Sequence, residues 1–500
     1  MTNIISLFYS KHLCKIFLLV ATISLFSSGT FAQIPLITTE QSGITFDVDT
    51  IYGKNACVVQ KKGGKYMGNI TIPNYVTIKN KQYPVTVLSQ EAFSFCTELR
   101  SVIMPNSIKY IGNNCFYGSG IEQIDIPSSV KQLRAGCFAY CESLKTVKLP
   151  NSISILSGST FTGCISLEEI DIPNTITEIG QSCFHDCTSL SSIKIPNSVT
   201  ILGLQCFYGC SGLTSVKIPK SVRQYNASFY YCINLKEILV DDENPKFTSV
   251  DGVLFNKDMT KIITYPIGKD ADTYTIPKGI NYVDWACFDN CSKLKNISFT
   301  TEIKSISQLA FNSCSSLTNV VLPDSVEHIG WWAFANCDNL SSITLPDSLK
   351  DIVAGSFDGC KNLKKVICHA IKVPQIKSWN GDHNPFEKCP EDRILYVPKA
   401  SLEDYKNADY WKDFAQILPI ETTGINDVID IDTDLVYSSK EKGKVSITGL
   451  HAGEIIQCYN TSGLLIQTYK ATSEEIAITT AEPIIIIKAR KQTKKIFVKQ

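Results

Sequence analysis

The 500-residue chain carries 48 Lys plus Arg against 48 Asp plus Glu, so it has no formal net charge at pH 7. That balance excludes the basic excess by which proteins bind nucleic acid or anionic membranes. At this length a single core would ordinarily split into domains, a limit that a stack of repeats avoids by growing in one direction.

Residues 1–32 read as a signal peptide. Lys11 and Lys15 give a basic start, Ile16 to Phe26 is an apolar run too short to span a bilayer, and Thr30-Phe31-Ala32 supplies a cleavage site before Gln33. Removing Lys11 and Lys15 leaves 46 basic against 48 acidic residues, a mature charge of −2. Cys14 precedes the apolar run and residue 33 is Gln, which argues against a lipoprotein anchor. The expectation is export, to the medium or the outer cell surface, with no transmembrane span in the mature chain.

A β entry segment is expected over 33–88, followed by repeats over 89–418. Phenylalanines from Phe93 to Phe357 mark eleven units, and Pro127, Pro150, Pro173, Pro196 and Pro219 fall 23 residues apart. A period of this size with fixed apolar positions marks a solenoid, since one unit cannot bury its apolar face alone. In the unit from Leu190 to Cys210, the alternation Ile193-Lys194-Ile195 predicts a strand with one buried face. Pro196 ends it for want of an amide hydrogen, and Val199 and Leu202 predict a second short strand. The following Gln205 to Cys210 segment predicts one helical turn that packs Phe207 inward. The fold expected is mostly β: a right-handed solenoid of about eleven rungs of 22–23 residues with short helical turns.

The phrase LxxIxIPxSVxxIGxxxFxxC closely resembles the BspA-type leucine-rich repeat of bacterial secreted and surface proteins. The resemblance covers roughly residues 43–418. Asn244-Pro245-Lys246-Phe247 and Asp251 to Phe255 resemble the family's inserted hairpin, placed near 241–275. Leu395 to Pro398, Tyr405 and Trp411 to Phe414 resemble its terminal cap, placed at 370–418. A cap is physically required, because the last rung would otherwise expose an apolar face and an open strand edge.

Cysteine occupies two columns of the repeat. Ten residues, Cys96 to Cys360, stand three positions after the phenylalanine, and five, such as Cys183 and Cys206, stand directly before it, where Ala, Ser and Thr alternate with them. The registry predicts packing and buried free thiols. Spacing alone leaves bridges between neighbouring rungs open. CxxxC pairs such as Cys183 with Cys187 recur with the repeat and lack partnering histidines, so no zinc site is expected. Asp430, Asp432, Asp434 and Glu441 match calcium-loop spacing, but Leu435 stands where the turn needs glycine. His185 and His328 fall at variable repeat positions and are expected to face solvent. Cys187 beside His185 is one of ten equivalent cysteines, so it lacks the singular environment a nucleophile needs. No catalytic residue, cofactor or metal is expected.

Beyond Pro419 the rhythm changes. Short strands between Val445 and Val498, with a turn at Asn460 to Gly463, predict a small antiparallel β-sandwich over 424–500. Its layout is similar to the C-terminal sorting domain of the type IX secretion system, although Glu482-Pro483 replaces that family's usual glycine. Sorting, surface attachment or protection of the solenoid's end are the roles this leaves.

The expected function is non-enzymatic: a secreted or surface solenoid that binds host or neighbouring-cell proteins, as the resemblance implies. Glycan binding or nutrient capture is the alternative, carried by Tyr117, Tyr208, Tyr230, Tyr231, Trp331 and Trp332 as exposed aromatics. The outward column between the two strand aliphatics is charged in its first half, at Asp125, Lys148, Asp171 and Lys194. Charge is lost in its second half, at Leu239, Ser298, Val321, Thr344 and Ile367, which makes these five the candidate partner-binding face.

Overall fold

The structure, a computed structural model, describes residues 36–49, 55–61, 63–299, 303–377, 384–420 and most of 436–497. The segment expected to be a signal peptide and the aspartates at calcium-loop spacing lie outside the described residues. Two compact units are formed, Met1–Cys210 with Gln224–Phe229, and Ser211–Arg223 with Tyr230–Gln500. Both are built from the same rung.

Each rung follows its sequence closely on the two strand sides. In the first unit Gln123–Asp125 pairs in parallel with Thr146–Lys148, burying Ile124 and Val147 and turning Asp125 and Lys148 outward in register. The proline then does more than end the strand. Its carbonyl accepts the amide of the branched residue three positions on, as in Val130 to Pro127 (3.0 Å), Val199 to Pro196 (3.0 Å) and Val326 to Pro323 (3.0 Å), which closes a tight turn. A two-residue strand follows and stacks on its equivalents, Leu156 on Ile179 on Leu202 on Tyr225. The expected strand at Ile193 to Ile195 forms no ladder, although both isoleucines are buried. Alternation there reports which side chains point inward without hydrogen-bonded pairing.

The third side of the rung departs from expectation: it is a pair of tight turns and contains no helix. Two residues before each column phenylalanine and two after it, the backbone takes positive φ, as at Glu91 (59°) and Phe95 (56°) about Phe93, or Ser182 (53°) and Asp186 (57°) about Phe184. A left-handed residue at both points breaks any helix. Alternate amides therefore serve two purposes. Glu91, Phe93 and Phe95 donate to Asn113, Cys115 and Tyr117 of the next rung, while Ala92, Ser94 and Cys96 donate three residues back and close the turns. The result is a third rung-to-rung ladder, which satisfies backbone groups that a buried turn would otherwise leave unpaired.

Large side chains at the left-handed position interlock with glycine on the following rung. The position two past the phenylalanine reads Phe95, Gly118, Tyr140, Gly163, Asp186, Gly209 along the first unit. A Cβ built on Gly163 would fall 2.6 Å from the Tyr140 ring, and one on Gly118 would fall 3.1 Å from Phe95. The glycine thus supplies both the backbone conformation and the space.

Inside each unit the column phenylalanines stack nearly parallel. Centroids are 5.2 Å apart at 1° for Phe184 and Phe207, and 5.1 Å apart at 5° for Phe311 and Phe334. Tyr66, Tyr265 and Phe386 extend this column, at 4.9 Å from Phe93, 5.0 Å from Phe288 and 5.2 Å from Phe357, so the eleven turns counted from phenylalanine become fourteen. The cysteine three residues on has a specific task. Sγ of Cys164, Cys187, Cys314 and Cys360 points at the carbonyl of the phenylalanine on the preceding rung, at 3.2, 3.2, 3.1 and 3.0 Å. That carbonyl already accepts its own turn amide, and the thiol fills its second lone pair inside the core.

In the second unit the hairpin Phe247–Val250 with Val253–Asn256 follows the strand Glu237–Val240, and Lys261–Thr264 then resumes the inner ladder against Tyr282–Val283. At the carboxyl end of the repeats a short helix, Leu402–Asn407, buries Tyr405 beside Trp411, whose indole N–H donates to Pro374 O at 3.1 Å. Further on, Val436–Ser438, Lys444–Thr448 and Glu475–Thr479 form one antiparallel sheet. Ile455–Tyr459, Leu465–Lys470, Ile484–Ala489 and Gln492–Phe497 form another. Val445, Ile447 and Ile478 of the first share a buried cluster with Ile456, Cys458 and Ile487 of the second.

The interlock gives a direct test. Gly163→Ala is expected to cost about 1–3 kcal/mol through overpacking and strain. Adding Tyr140→Gly should recover part of that loss in urea unfolding, whereas strict additivity of the two changes would show that ring and glycine do not interlock.

Candidate interaction face

Seven parallel strands of the second unit form one outer sheet, in the order Thr273–Ile276, Asn296–Phe299, Asn319–Val321, Ser342–Leu345, Lys365–Cys368, Ile394–Pro398 and Gln416–Ile420. Because strand side chains alternate, each strand sends one set to the core and the other out. The register brings Val321, Thr344, Ile367, Tyr396 and Leu418 into one outward column, with Thr275 and Ser298 leading into it. The outward column two residues earlier reads Thr273, Asn296, Asn319, Ser342, Lys365, Ile394 and Gln416. Across these two columns of seven, Lys365 is the one charge, and its Nζ lies 5.3 Å from the Tyr396 ring centre. Val321 is 66% exposed, so packing among the described residues does not account for its apolar character.

Four of the five sequence candidates, Ser298, Val321, Thr344 and Ile367, come together on this sheet. Leu239 does not join them. It pairs in register with Lys217 in a separate two-stranded sheet, because the inserted hairpin interrupts the outer ladder after Glu237–Val240. Thr275, Tyr396 and Leu418 belong to the column and escaped sequence reasoning: Thr275 precedes Phe288 at the repeat's spacing, but Ala271 and Tyr274 stand where its strand would carry the leading leucine and isoleucine, and the strands of Tyr396 and Leu418 lack the phenylalanine spacing.

The aromatics expected to be exposed are half-buried, spent on one another. Tyr117 lies between Phe95 (5.1 Å) and Tyr140 (5.2 Å), Trp331 stacks on Trp332 (4.3 Å), and Tyr208 stacks on His185 (4.4 Å, 13°). His185 is therefore not solvent-facing: its side chain is 17% exposed, with Nδ1 3.1 Å from the Asp186 carboxylate. Cys187 is buried two residues away, and burial pushes its thiol well above its ordinary range, the opposite of an activated nucleophile. His328 is partly exposed and shares the buried Asp351 carboxylate, at 2.8 Å, with Lys377, at 2.7 Å. Among the described residues no group of three His, Cys, Asp or Glu side chains is placed to hold a metal ion, and no helix is long and apolar enough to cross a membrane.

A strongly displaced carboxyl is Asp289, one residue past Phe288. Burial pushes it up to about 6, despite hydrogen bonds from the Tyr230 hydroxyl, Asn312 Nδ2 (2.6 Å) and Asn290 Nδ2 (2.8 Å). Enclosed by these donors, it is a fixed part of the rung core. The folded chain holds this proton up to about pH 6 while an unfolded aspartate releases it near pH 4, so its contribution is fully present at low pH and lost as pH rises through 6. Asp289→Asn should raise the melting temperature at pH 7.5 and flatten its dependence between about pH 4 and 6. A variant that melts lower at pH 7.5 with an unchanged pH profile would contradict this.

These features define a β-solenoid of leucine-rich repeats whose sheet face is turned to solvent. A family model described as the BspA type leucine rich repeat region matches residues 66–169, 154–271 and 268–389, and the chain belongs to that family. The crystal structure of the pneumococcal vaccine antigen PcpA is similar over 77% of this chain and 98% of its own, with 22% identity and a TM-score of 0.55. A leucine-rich repeat protein of Bacteroides ovatus is 25% identical over 77% of this chain and all of its own, with a TM-score of 0.46. A leucine rich cell surface protein of Faecalibacterium prausnitzii is 22% identical over 78% and 96%, also at 0.46. No curated protein matches the chain.

Proposed function

We infer that this is an exported surface protein that binds a polypeptide ligand on the outer sheet spanning Thr273 to Ile420, without catalysis. The observation that carries the reading is the nearly charge-free pair of outward columns, with Val321, Ile367 and Leu418 in register on an unbroken parallel sheet. Flat, extended faces of stacked repeats suit protein partners, whereas a glycan site calls for an open ring face, and the half-buried rings here pack against one another. Export rests on the signal sequence at 1–32, and residues 424–500 serve attachment or sorting at the surface.

Full-length protein tested against a panel of extracellular-matrix and bacterial surface proteins, beside a glycan array, identifies the ligand class. For a protein ligand so found, Val321→Asp with Ile367→Asp should weaken Kd by about tenfold or more, by setting unpaired charge in a desolvated contact. Asp125→Ala with Lys148→Ala should change it little. Equal losses from both double variants, or none from the first, would sink the reading.

A further inference from the structure

The outer sheet is broken where the hairpin leaves the rung. Glu237–Val240 ends one sheet and Thr273–Ile276 begins the next. The far side of Glu237–Val240 is met by the hairpin, with Ile238 N–H donating to Gly252 O (2.8 Å) and Val240 N–H to Ser249 Oγ (3.0 Å). A cleft of about 690 Å³ lies here, lined by Glu237, Leu239, Ser249, Asp251, Lys269 and Asp270 among others. Its charges neutralise one another. Lys269 pairs with Asp251 (3.1 Å), and Lys236 (2.7 Å) and Lys293 (2.5 Å) hold the Asp270 carboxyl down to about 2. Leu239, 39% exposed on the wall, is left as apolar surface that no described residue covers.

The strand that follows the Lys269 to Ala271 wall has an open edge. Asn296 N–H donates to Asp272 O (3.0 Å), and in a parallel ladder that bond turns the N–H and C=O of Thr273 and Thr275 away from Asn296–Phe299. The opposite end of the same sheet, Gln416–Ile420, carries Pro419, a residue that discourages strand addition. Only the end beside the cleft presents an all-amide edge.

We propose that an extended segment of a partner polypeptide pairs with the open edge of Thr273–Ile276 and seats an apolar side chain in the cleft against Leu239. Main-chain bonds to the edge supply affinity, and the cleft supplies selection. The inference rests on the reading that this face receives polypeptide, and it adds where along the face the segment begins and how it is held.

The probe is a displayed library of random linear peptides selected on full-length protein. Selected peptides should carry an apolar anchor, slow amide exchange at Thr273 and Thr275, and bind Leu239→Glu and Thr275→Pro about tenfold more weakly or worse. Exchange is measured on the unaltered chain, so it stands even if Thr275→Pro misfolds. Failure to select any binder, unchanged affinity for Leu239→Glu, or no protection at either amide would overturn the proposal. Peptides that keep full affinity for the Val321→Asp, Ile367→Asp double variant while losing Leu239→Glu uphold the cleft even where the column fails. Peptides lost only in that double variant refute the cleft and leave the column standing.

Discussion

Everything in the repeat region depends on a buried turn whose amides reach in two directions. The column phenylalanine must point inward to stack on its neighbours, yet its segment is too short for a helix to satisfy the backbone there. Left-handed residues on either side of it, such as Ser182 and Asp186 about Phe184, let alternate amides bond forward to the next rung and back into the turn. The phenylalanine carbonyl then becomes a fixed acceptor inside the core, and the cysteine of the following rung supplies its second donor. Burial keeps those thiols protonated: Cys141 is pushed up to about 12. The cysteine three positions after the phenylalanine thus meets a hydrogen-bonding need on most rungs, while the cysteine directly before it answers to smallness alone.

A core fixed this firmly leaves the outward face free to vary. In the first unit that face is charged, and Asp125 and Lys148 sit in register where opposite charges tolerate each other. On the seven-stranded sheet the same positions hold hydroxyls, amides and aliphatics, with Lys365 as their one charge beside Tyr396. Both solutions are compatible with the same rung, so the difference between them is not explained by folding, and it is the observation on which the proposed binding face rests. The inserted hairpin matters for the same reason: it breaks the outer ladder and creates an edge and a cleft that an uninterrupted stack would lack.

The strand sides and the aromatic column were legible because their chemistry is strict. Ile124 and Val147 could be placed inward from alternation alone, and Val130 and Val199 from their distance to proline. The turn was misjudged as helical because its left-handed positions are filled by Glu91, Phe95, Leu309 and Trp332 as well as by glycine, so composition carries no signal of positive φ. The aromatics were misjudged as exposed for a related reason. Whether Tyr117 or Trp332 faces water depends on what the adjacent rung offers, such as Phe95 or Gly355, and that neighbour lies one full repeat away in sequence.

The sequence by itself determined the repeat, the inward set of each rung and the family, because a period imposed by core packing is written at every turn. Tertiary structure alone decided which outward residues share one sheet. Leu239 and Ser298 occupy the same place in the repeat phrase, yet one lies beside Lys217 and the other beside Thr275, since hydrogen bonding across an insertion is a matter of which backbones meet. Tyr396 and Leu418 joined the face for the converse reason: parallel pairing carried their strands into register without the repeat's signature. Residue pattern fixes what a rung buries, and only the ladder between rungs fixes what the outer surface places side by side.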